Sequence, residues 1–507
     1  MVSLNDKTKE RRRYPNKYRY LLVGSVIAGL LALCFNAIFT HPFIKTYNEY
    51  IRYRYLPEKV VRHFIEHPIS DVSINVPSYY SCPDFRFPDL PEAVNIQFGG
   101  RLKEKEHIAL NYNVNWTYGD YDTFKEDGYP PFALFVRLLL SDQNAIYVDG
   151  IKSYAELYYI LSAVETNDLP FFVTQLLTDY CFKGELEHYR EDSLIKVYYH
   201  QNNHFNFVHQ DFIFNDRIRQ LLTEPAQNIT IEFILVGSNQ YTWDFDEALH
   251  KISPYLERLN DLFNFNISVI HEPVENSNET ESYIDNRFPI ELTDLPGLAK
   301  IYRRTMDDGP NTIHLVMYPF NLANDKIMTK VVDSKEIYSS SENTFLEISH
   351  WGSLYFSHSP TQHPTYFSKQ DLDDCMWSYL ESIMDYLGFP NENMSPALRL
   401  DMWERILVVN YLTYFSDLLF IVENNLRRNS SKHLIKGEII DSIVKALEKR
   451  QNVVDYLGEG KPNLALKVSQ NMIETILTEL SGLNIKEKFQ EVFAEYTSQI
   501  TKEFNDS

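Results

Sequence analysis

The chain is 507 residues long and carries 70 Asp/Glu against 48 Lys/Arg, a formal net charge of −22. That balance excludes a nucleic-acid-binding surface, which needs clustered Lys/Arg to meet phosphates. A hydrophobic content of 44% and an aromatic content of 14% suit a globular body, and the length allows one large or two ordinary domains with real cores.

The first feature along the chain is LLVGSVIAGLLALCFNAIF, residues 21–39. As a helix it is roughly 28 Å long, the thickness of a bilayer's hydrocarbon core, so it is expected to span once. Lys7, Lys9, Arg11, Arg12, Arg13, Lys17 and Arg19 precede it. A Lys/Arg excess marks the cytosolic flank, which puts the tail in the cytosol and the bulk of the chain in the lumen or outside. A cleavable signal peptide is the alternative, but the run is long for one and no small-x-small cleavage site follows. Gly24, Ser25, Ala28, Gly29 and Ala32 form a small-residue stripe that would permit close helix approach. The collar HPFIKTYNEYIRYRYLP, residues 41–57, sets Tyr47, Tyr50, Tyr53 and Tyr55 among Arg52 and Arg54, a composition at home in the membrane interface.

Beyond the collar, SINVPSYYSCPDFRFPDLPEA reads as an irregular, proline-rich connector. In LNYNVNWTYG the apolar Leu110, Tyr112, Val114 and Trp116 alternate with Asn111, Asn113 and Asn115, which predicts a strand with its asparagines on the solvent face. AIYVDG predicts a strand and SYAELYYILSAVE a helix. NITIEFILVGS predicts a strand with Ile229, Ile231, Phe233 and Leu235 on one face, DEALHKISPYLERLNDLF a helix, and ISVIHEP, NTIHLVMYP and TFLEISHWGSLYFS further strands. From Pro396 onward, three segments with apolar residues every three or four positions predict a helical hairpin or bundle. The apolar run 406–422 contains Asn410 and Asp417, which favours a buried helix over a second span.

The expected fold is therefore α/β: an N-terminal single transmembrane helix (21–39) after a basic cytosolic tail (1–20), a lumenal mixed β-sheet covered by helices (40–395), and a C-terminal helical region (396–507). Beyond Cys34 in the span, Cys82, Cys181 and Cys375 allow at most one internal disulfide, and buried free thiols are the simpler reading in so large a core. Sequons at Asn115, Asn228, Asn266, Asn278, Asn393 and Asn429 agree with a secretory compartment and are candidate glycosylation sites.

Chemistry-bearing motifs are few. D-x-D occurs at Asp120/Asp122 and Asp244/Asp246, with DLDD at 371–374. In an anchored lumenal α/β domain this suggests a glycosyltransferase holding Mn²⁺ and a sugar nucleotide. Against it, 70 acidic residues supply such spacings by chance, and aspartates at the start of WDFDEALHKI suit a helix cap. His200, His204 and His209 fall in a segment that alternates like a strand, which parts them rather than gathering them round zinc. There is no G-x-S-x-G, P-loop or G-x-G-x-x-G, so neither a catalytic residue, a metal nor a cofactor is assigned.

The collar residues Pro42, Lys45, Thr46, Tyr53, Arg54, Leu56 and Pro57 nevertheless resemble the start of the PIG-S family, a subunit of the glycosylphosphatidylinositol (GPI) transamidase. The likeness continues through Trp243, Asp244, Pro254, Tyr255, Leu256, Asn264, Phe265, Ile267 and Val269, then Leu295, Pro296, Tyr318 and Pro319, and the Trp351-Gly352 strand. This resemblance implies a non-catalytic subunit in the endoplasmic reticulum membrane. Its complex joins a preassembled GPI lipid to a precursor's new C-terminus, with the nucleophilic cysteine on a caspase-like partner. The expected partners are the other subunits and membrane lipid, with the GPI lipid and the precursor as further contacts. The family also has a second span near the C-terminus. EVFAEYTSQITKEFNDS is too charged to insert, so the family's second span is not found here, either because the sequence is shortened or because this member has lost it.

Overall fold

A computed structural model describes residues 63–65, 67–84, 87–104, 108, 110–125, 133–165, 168–189, 227–237, 241–260, 262–273, 301, 311–320, 334–339, 343–348, 351–358, 365–389, 394–429 and 437–480. The expected span at 21–39, its basic tail and its collar lie outside these. Among the described residues no helix is long and apolar enough to cross a membrane.

Two parallel-rich sheets replace the single mixed sheet expected from the sequence. The first is built from β1 (Ser73–Ser81), β2 (Asn111–Tyr118), β3 (Leu134–Leu140), β4 (Ala145–Val148) and β5 (Tyr154–Tyr159) in the order β2-β1-β3-β5-β4. Only β4 runs antiparallel to its neighbour. Between the strands come α1 (Leu90–Glu104) and the single-turn α2 (Tyr121–Lys125); after them come α3 (Leu161–Glu165), α4 (Leu169–Leu176), a π-helical turn at Leu177–Cys181, and the helical stretch 183–189. Val94, Phe98 and Leu102, spaced four apart on α1, are buried, as a helix covering one sheet face requires. Asn95 closes part of the free edge of β2: its Nδ2 donates to the Val114 carbonyl (2.9 Å) and its Oδ1 accepts the Val114 N–H (3.1 Å).

Two sequence expectations fail in this sheet. The stretch read as a connector contains β1, the strand lying between β2 and β3. Pro77 argued against a strand, yet it sits where β1 is paired with β2 alone, since pairing with β3 begins at Ser78. SYAELYY, read as helix, is β5. There Ala155, Leu157 and Tyr159 are buried on one face while Glu156 and Tyr158 are half-buried on the other, a period of two completed only by pairing with β3.

The second sheet contains β6 (Gln227–Gly237), β8 (Phe263–Pro273), β9 (Thr312–Phe320), β10 (Ser334–Ser339), β11 (Asn343–Ile348) and β12 (Gly352–His358) in the order β10-β11-β12-β9-β6-β8. β8, β6, β9 and β12 are parallel, and β11 and β10 fold back antiparallel. A two-stranded ladder, β7 (Thr242–Trp243) with β13 (Tyr366–Phe367), lies apart. The helix predicted over 246–263 is two: α5 (Phe245–Leu249) and α6 (Ser253–Leu259), the latter with Pro254 in its first turn, where proline is tolerated. Ile229, Ile231, Phe233 and Leu235 are buried on one face as expected. Phe233 meets Phe245 of α5 (centroids 4.6 Å apart) and Tyr379 of α7 (Asp373–Tyr386; 5.7 Å).

The three C-terminal helices are α8 (Pro396–Asn429), α9 (Gly437–Gly458) and α10 (Pro462–Leu480), matching the three periodic segments. Trp403 of α8 stacks on Phe389 (4.4 Å) and faces Phe263 of β8 (6.2 Å). α9 is capped two residues past its end by Gly460, whose φ is +70°. The Lys461 N–H bonds the Tyr456 carbonyl (2.9 Å) and the Gly460 N–H the Leu457 carbonyl (3.1 Å), the paired bonds of a left-handed glycine cap. A Cβ there would stand 2.9 Å from the Asn75 carbonyl. Arg450 reaches Asp71 through two bonds of 2.7 and 2.6 Å.

Of the described residues, 69–414 and 449–472 form one compact unit, holding both sheets; 63–68, 415–448 and 473–480 belong to another, which buries Leu418, Leu419, Ile443, Ala446, Ile473 and Ile476.

Candidate functional site

The densest polar constellation in the sheet-bearing unit is a buried ionic cluster around α8. Asp401, Glu404 and Arg405 share one helix face through i, i+3 and i, i+4 spacing. Arg405 is 2% exposed and forks onto Glu185, which is fully buried: Nε to Oε1 2.8 Å and Nη2 to Oε2 2.7 Å. Tyr112 of β2 and Tyr189 donate to the same carboxylate at 2.9 Å each. Arg405 Nη1 bonds Asp401. Arg258 of α6 bonds Asp401 at 2.9 Å and Glu404 with Nε at 2.7 Å, while its Nη2 completes a second bond to Glu404. Burial pushes the Tyr112 and Tyr189 hydroxyls well above their ordinary value, so both act as permanent donors. Burial also pushes the Glu404 carboxyl up to about 7, against the lowering pull of Arg258.

Both Glu185 oxygens are taken up by donors, as burying a carboxylate demands. The cluster joins β2, the 183–189 helix, α6 and α8, and its Arg405–Glu185 pair alone is 220 residues apart in sequence. Its charged groups are paired with one another across four elements, so it acts as a clasp. Sequence reasoning missed it; the one available signal is RLDMWER, four charges inside an otherwise apolar helical run.

The D-x-D aspartates serve local structure. Asp120 accepts the Thr123 hydroxyl (3.0 Å) at the start of α2. Asp244 occupies the N-cap position of α5 but makes no side-chain cap bond; its carboxylate accepts the Tyr366 hydroxyl instead. Asp371 takes the N–H and hydroxyl of Ser368 (2.9 and 2.6 Å), and Asp373 pairs with Lys251. Among the described residues no group of three or more His, Cys, Asp or Glu could hold a metal. His200, His204 and His209 lie outside them. Cys82, Cys181 and Cys375 are buried thiols, and burial raises the Cys375 thiol far above its usual value.

Of the sequon asparagines, Asn115 is exposed on β2, Asn228 on β6 and Asn266 on β8, with Asn264 Nδ2 donating to Asn228 Oδ1 (3.1 Å). Asn278 and Asn393 lie outside the described residues, as does the side chain of Asn429 at the end of α8.

The residues that carried the family resemblance have identifiable work. Gly352 opens β12 with φ +137°, and a Cβ there would run into the His314 carbonyl. The Trp351 ring lies 5.4 Å from His314, the Trp351 carbonyl accepts the His314 N–H (3.0 Å), and His314 Nδ1 meets Glu232 at 3.1 Å. Trp243 packs on Phe245 (5.1 Å) and Tyr255 on Trp377 (6.0 Å).

The described chain is thus a mixed α/β protein with C-terminal helices, its long α8 tied to β2, the 183–189 helix and α6 by a buried ionic clasp. The chain belongs to the PIG-S family: the family model described as phosphatidylinositol-glycan biosynthesis class S protein matches residues 51–475. It is similar to the GPI transamidase component GPI17 of Saccharomyces cerevisiae, with 21% identity over 448 residues covering 83% of this chain and 78% of the yeast protein.

Proposed function

We infer that this chain is the PIG-S-type subunit of a GPI transamidase complex, which attaches preassembled GPI anchors to precursor C-termini in the endoplasmic reticulum. The observation that carries this is the family match across residues 51–475, joined by similarity to a transamidase component over most of both chains. The subunit is non-catalytic, and the nucleophilic cysteine belongs to a caspase-like partner. In support, Cys375 is buried with a raised pKa, the opposite of what a reactive thiol needs, and the Asp244 carboxylate is engaged by Tyr366. That engagement also disfavours the glycosyltransferase reading.

Residues 21–39 anchor the chain, with residues 1–20 cytosolic and the body lumenal. Asn115, Asn228 and Asn266 carry glycan on exposed strand positions, with Asn278, Asn393 and Asn429 as further sites. Other transamidase subunits and membrane lipid are its partners, and the GPI lipid and precursor are further contacts.

Purification from membranes in mild detergent tests this. A caspase-like protease and the remaining subunits should co-purify, and depletion should strip GPI-anchored proteins from the cell surface. Recovery of the chain alone, with normal surface display after depletion, would overturn the assignment.

A further inference from the structure

We propose that an N-linked glycan on Asn266 guards the outer edge of the six-stranded sheet, keeping β8 from pairing with a strand of another molecule. This rests on the lumenal placement of the body and goes beyond it by giving one of the candidate glycans a structural task. Among the described residues β8 has a strand neighbour on one side only. It runs from Phe263 to Pro273 and keeps register with β6 at every position, without a bulge. Its outer main-chain groups thus form a long, regular row, and such an edge is a template for strand addition and aggregation.

The other three edges of the two sheets are blunted. Asn95 occupies the Val114 N–H and carbonyl of β2, β4 is only four residues long, and β10 carries Lys335 and Glu336 and shifts register between Glu336 and Tyr338. β8 has none of these devices. FNFNISVI, residues 263–270, contains neither a charge nor a proline, and Ile267 and Val269 are 38% and 48% exposed. An uncharged stretch of high β-propensity is the kind that pairs edge to edge.

What this strand does carry is a sequon, Asn266-Ile267-Ser268. Side chains alternate along a strand, so Asn266 stands on the face opposite Ile267 and Val269. It is exposed, as are Asn264 on the same strand and Asn228 on β6. Thr230 lies across from Asn266 in the β6/β8 register, so the Asn228-Ile229-Thr230 sequon opens on the same corner. N-glycans are bulky and solubilising. One rooted near the middle of β8 sweeps the space that a further strand would fill, roughly 4.8 Å away, together with the body behind that strand. The edge then needs no charge of its own.

The test uses the full-length protein purified from membranes in mild detergent, with any subunits that accompany it. Peptide mass mapping with and without peptide-N-glycosidase F should find glycan at Asn266. Ser268→Ala removes the sequon and leaves the asparagine; the Ser268 hydroxyl is buried without a hydrogen-bond partner, so the fold should tolerate its loss. In light scattering behind a sizing column, the parent should keep one particle mass at all concentrations, whereas Ser268→Ala should shift to at least twice that mass as concentration rises. Adding Val269→Lys, a charge on the bare edge, should restore the parent's mass. Thr117→Ala, which removes the Asn115 sequon from the already capped β2, should leave the mass unchanged. Asn266→Gln makes the same measurement possible if Ser268→Ala does not fold. The proposal is overturned if Asn266 is bare while other sequons carry glycan, an outcome that leaves the lumenal placement standing; a chain bare at every sequon overturns both. It is also overturned if the sequon variants keep the parent's mass, if Thr117→Ala associates as strongly, or if Val269→Lys restores nothing, since association would then use another surface.

Discussion

In both sheets the first strand lies between the second and third, β2-β1-β3 in one and β8-β6-β9 in the other. A fourth parallel strand, β5 or β12, then joins the third after an antiparallel excursion. The helix-covered faces also agree, Ile74, Val76 and Val114 matching Ile229, Ile231 and Phe233 in burial. The opposite faces do not. In the six-stranded sheet His314, Val316, Tyr318, Leu354 and Phe356 are all buried, whereas the five-stranded sheet presents Asn113, Asn115, Thr117 and Tyr147 exposed and Arg137, Glu156 and Tyr158 half-buried. Parallel sheets normally need both faces covered. The same winding thus yields a sheet whose β9 and β12 are dry on this face in one place and a half-open sheet in another, and the difference lies in which side chains alternate along the strands. The half-open sheet has the ionic clasp as a compensating tie, through Tyr112 on β2.

The most disruptive way to break this comparison is Arg405→Ala, which leaves Glu185 buried and charged with tyrosine hydroxyls in place of its cation. Losing one partner of a buried pair costs about 3–5 kcal/mol, so urea unfolding should begin much earlier than in the parent chain. Replacing both partners, Glu185→Leu with Arg405→Met, should recover most of the loss. An unchanged midpoint for Arg405→Ala would mean the clasp does not hold the sheet. Next comes a pair of substitutions on the contrasting faces. Leu354→Ala, on the dry face, should cost about 2–5 kcal/mol, while Thr117→Ala on the open face should stay within about 0.5 kcal/mol. Equal effects in thermal unfolding would erase the distinction between the sheets.

Much of this contrast was readable in the sequence. The asparagines of NYNVNWTY announce an open face, the alternation of Ile229, Ile231, Phe233 and Leu235 announces the covered face of β6, and the three terminal helices follow from their spacing. What could not be read has physical causes. Pro77 disguised β1 because the gap in its pairing with β3 is a property of the assembled sheet. YAELYY runs into LSAVE, and only the neighbouring β3 selects period two over helix. The clasp joins Glu185 to Arg405 across 220 positions, and no local pattern encodes such a partner. The sequon and D-x-D motifs were visible from the start, but whether an aspartate caps, accepts a tyrosine hydroxyl or binds a metal depends on neighbours such as Tyr366 that arrive from afar.

A smaller effect sharpens the comparison at the strand that closes each parallel set. β12 opens on Gly352, whose positive φ and closeness to the His314 carbonyl leave no room for a Cβ; β5 opens on Tyr154 with no such restriction. Gly352→Ala should cost about 1–3 kcal/mol through backbone strain, read as a lower Tm. Gly150→Ala, in the loop before β5, meets nothing within 4 Å and should be nearly silent.

The smallest expected effect is a pH slope that separates the two ends of the clasp. Glu185 is bound by Arg405 and two tyrosines, whereas Glu404 depends on Arg258. With its folded pKa raised from an ordinary 4.5 to about 7, Glu404 holds a proton in the folded state that the unfolded chain has released between those values. Its contribution to stability is therefore fully present below about 4.5 and lost as pH rises through about 7, with a local slope of at most about 1.4 kcal/mol per pH unit. Urea unfolding between pH 5 and 8 should show stability declining across that window, and Glu404→Gln, uncharged throughout, should flatten this component. If the decline survives in Glu404→Gln, the titrating group lies elsewhere, and the Arg258 end of the clasp is as firmly ionised as a surface pair.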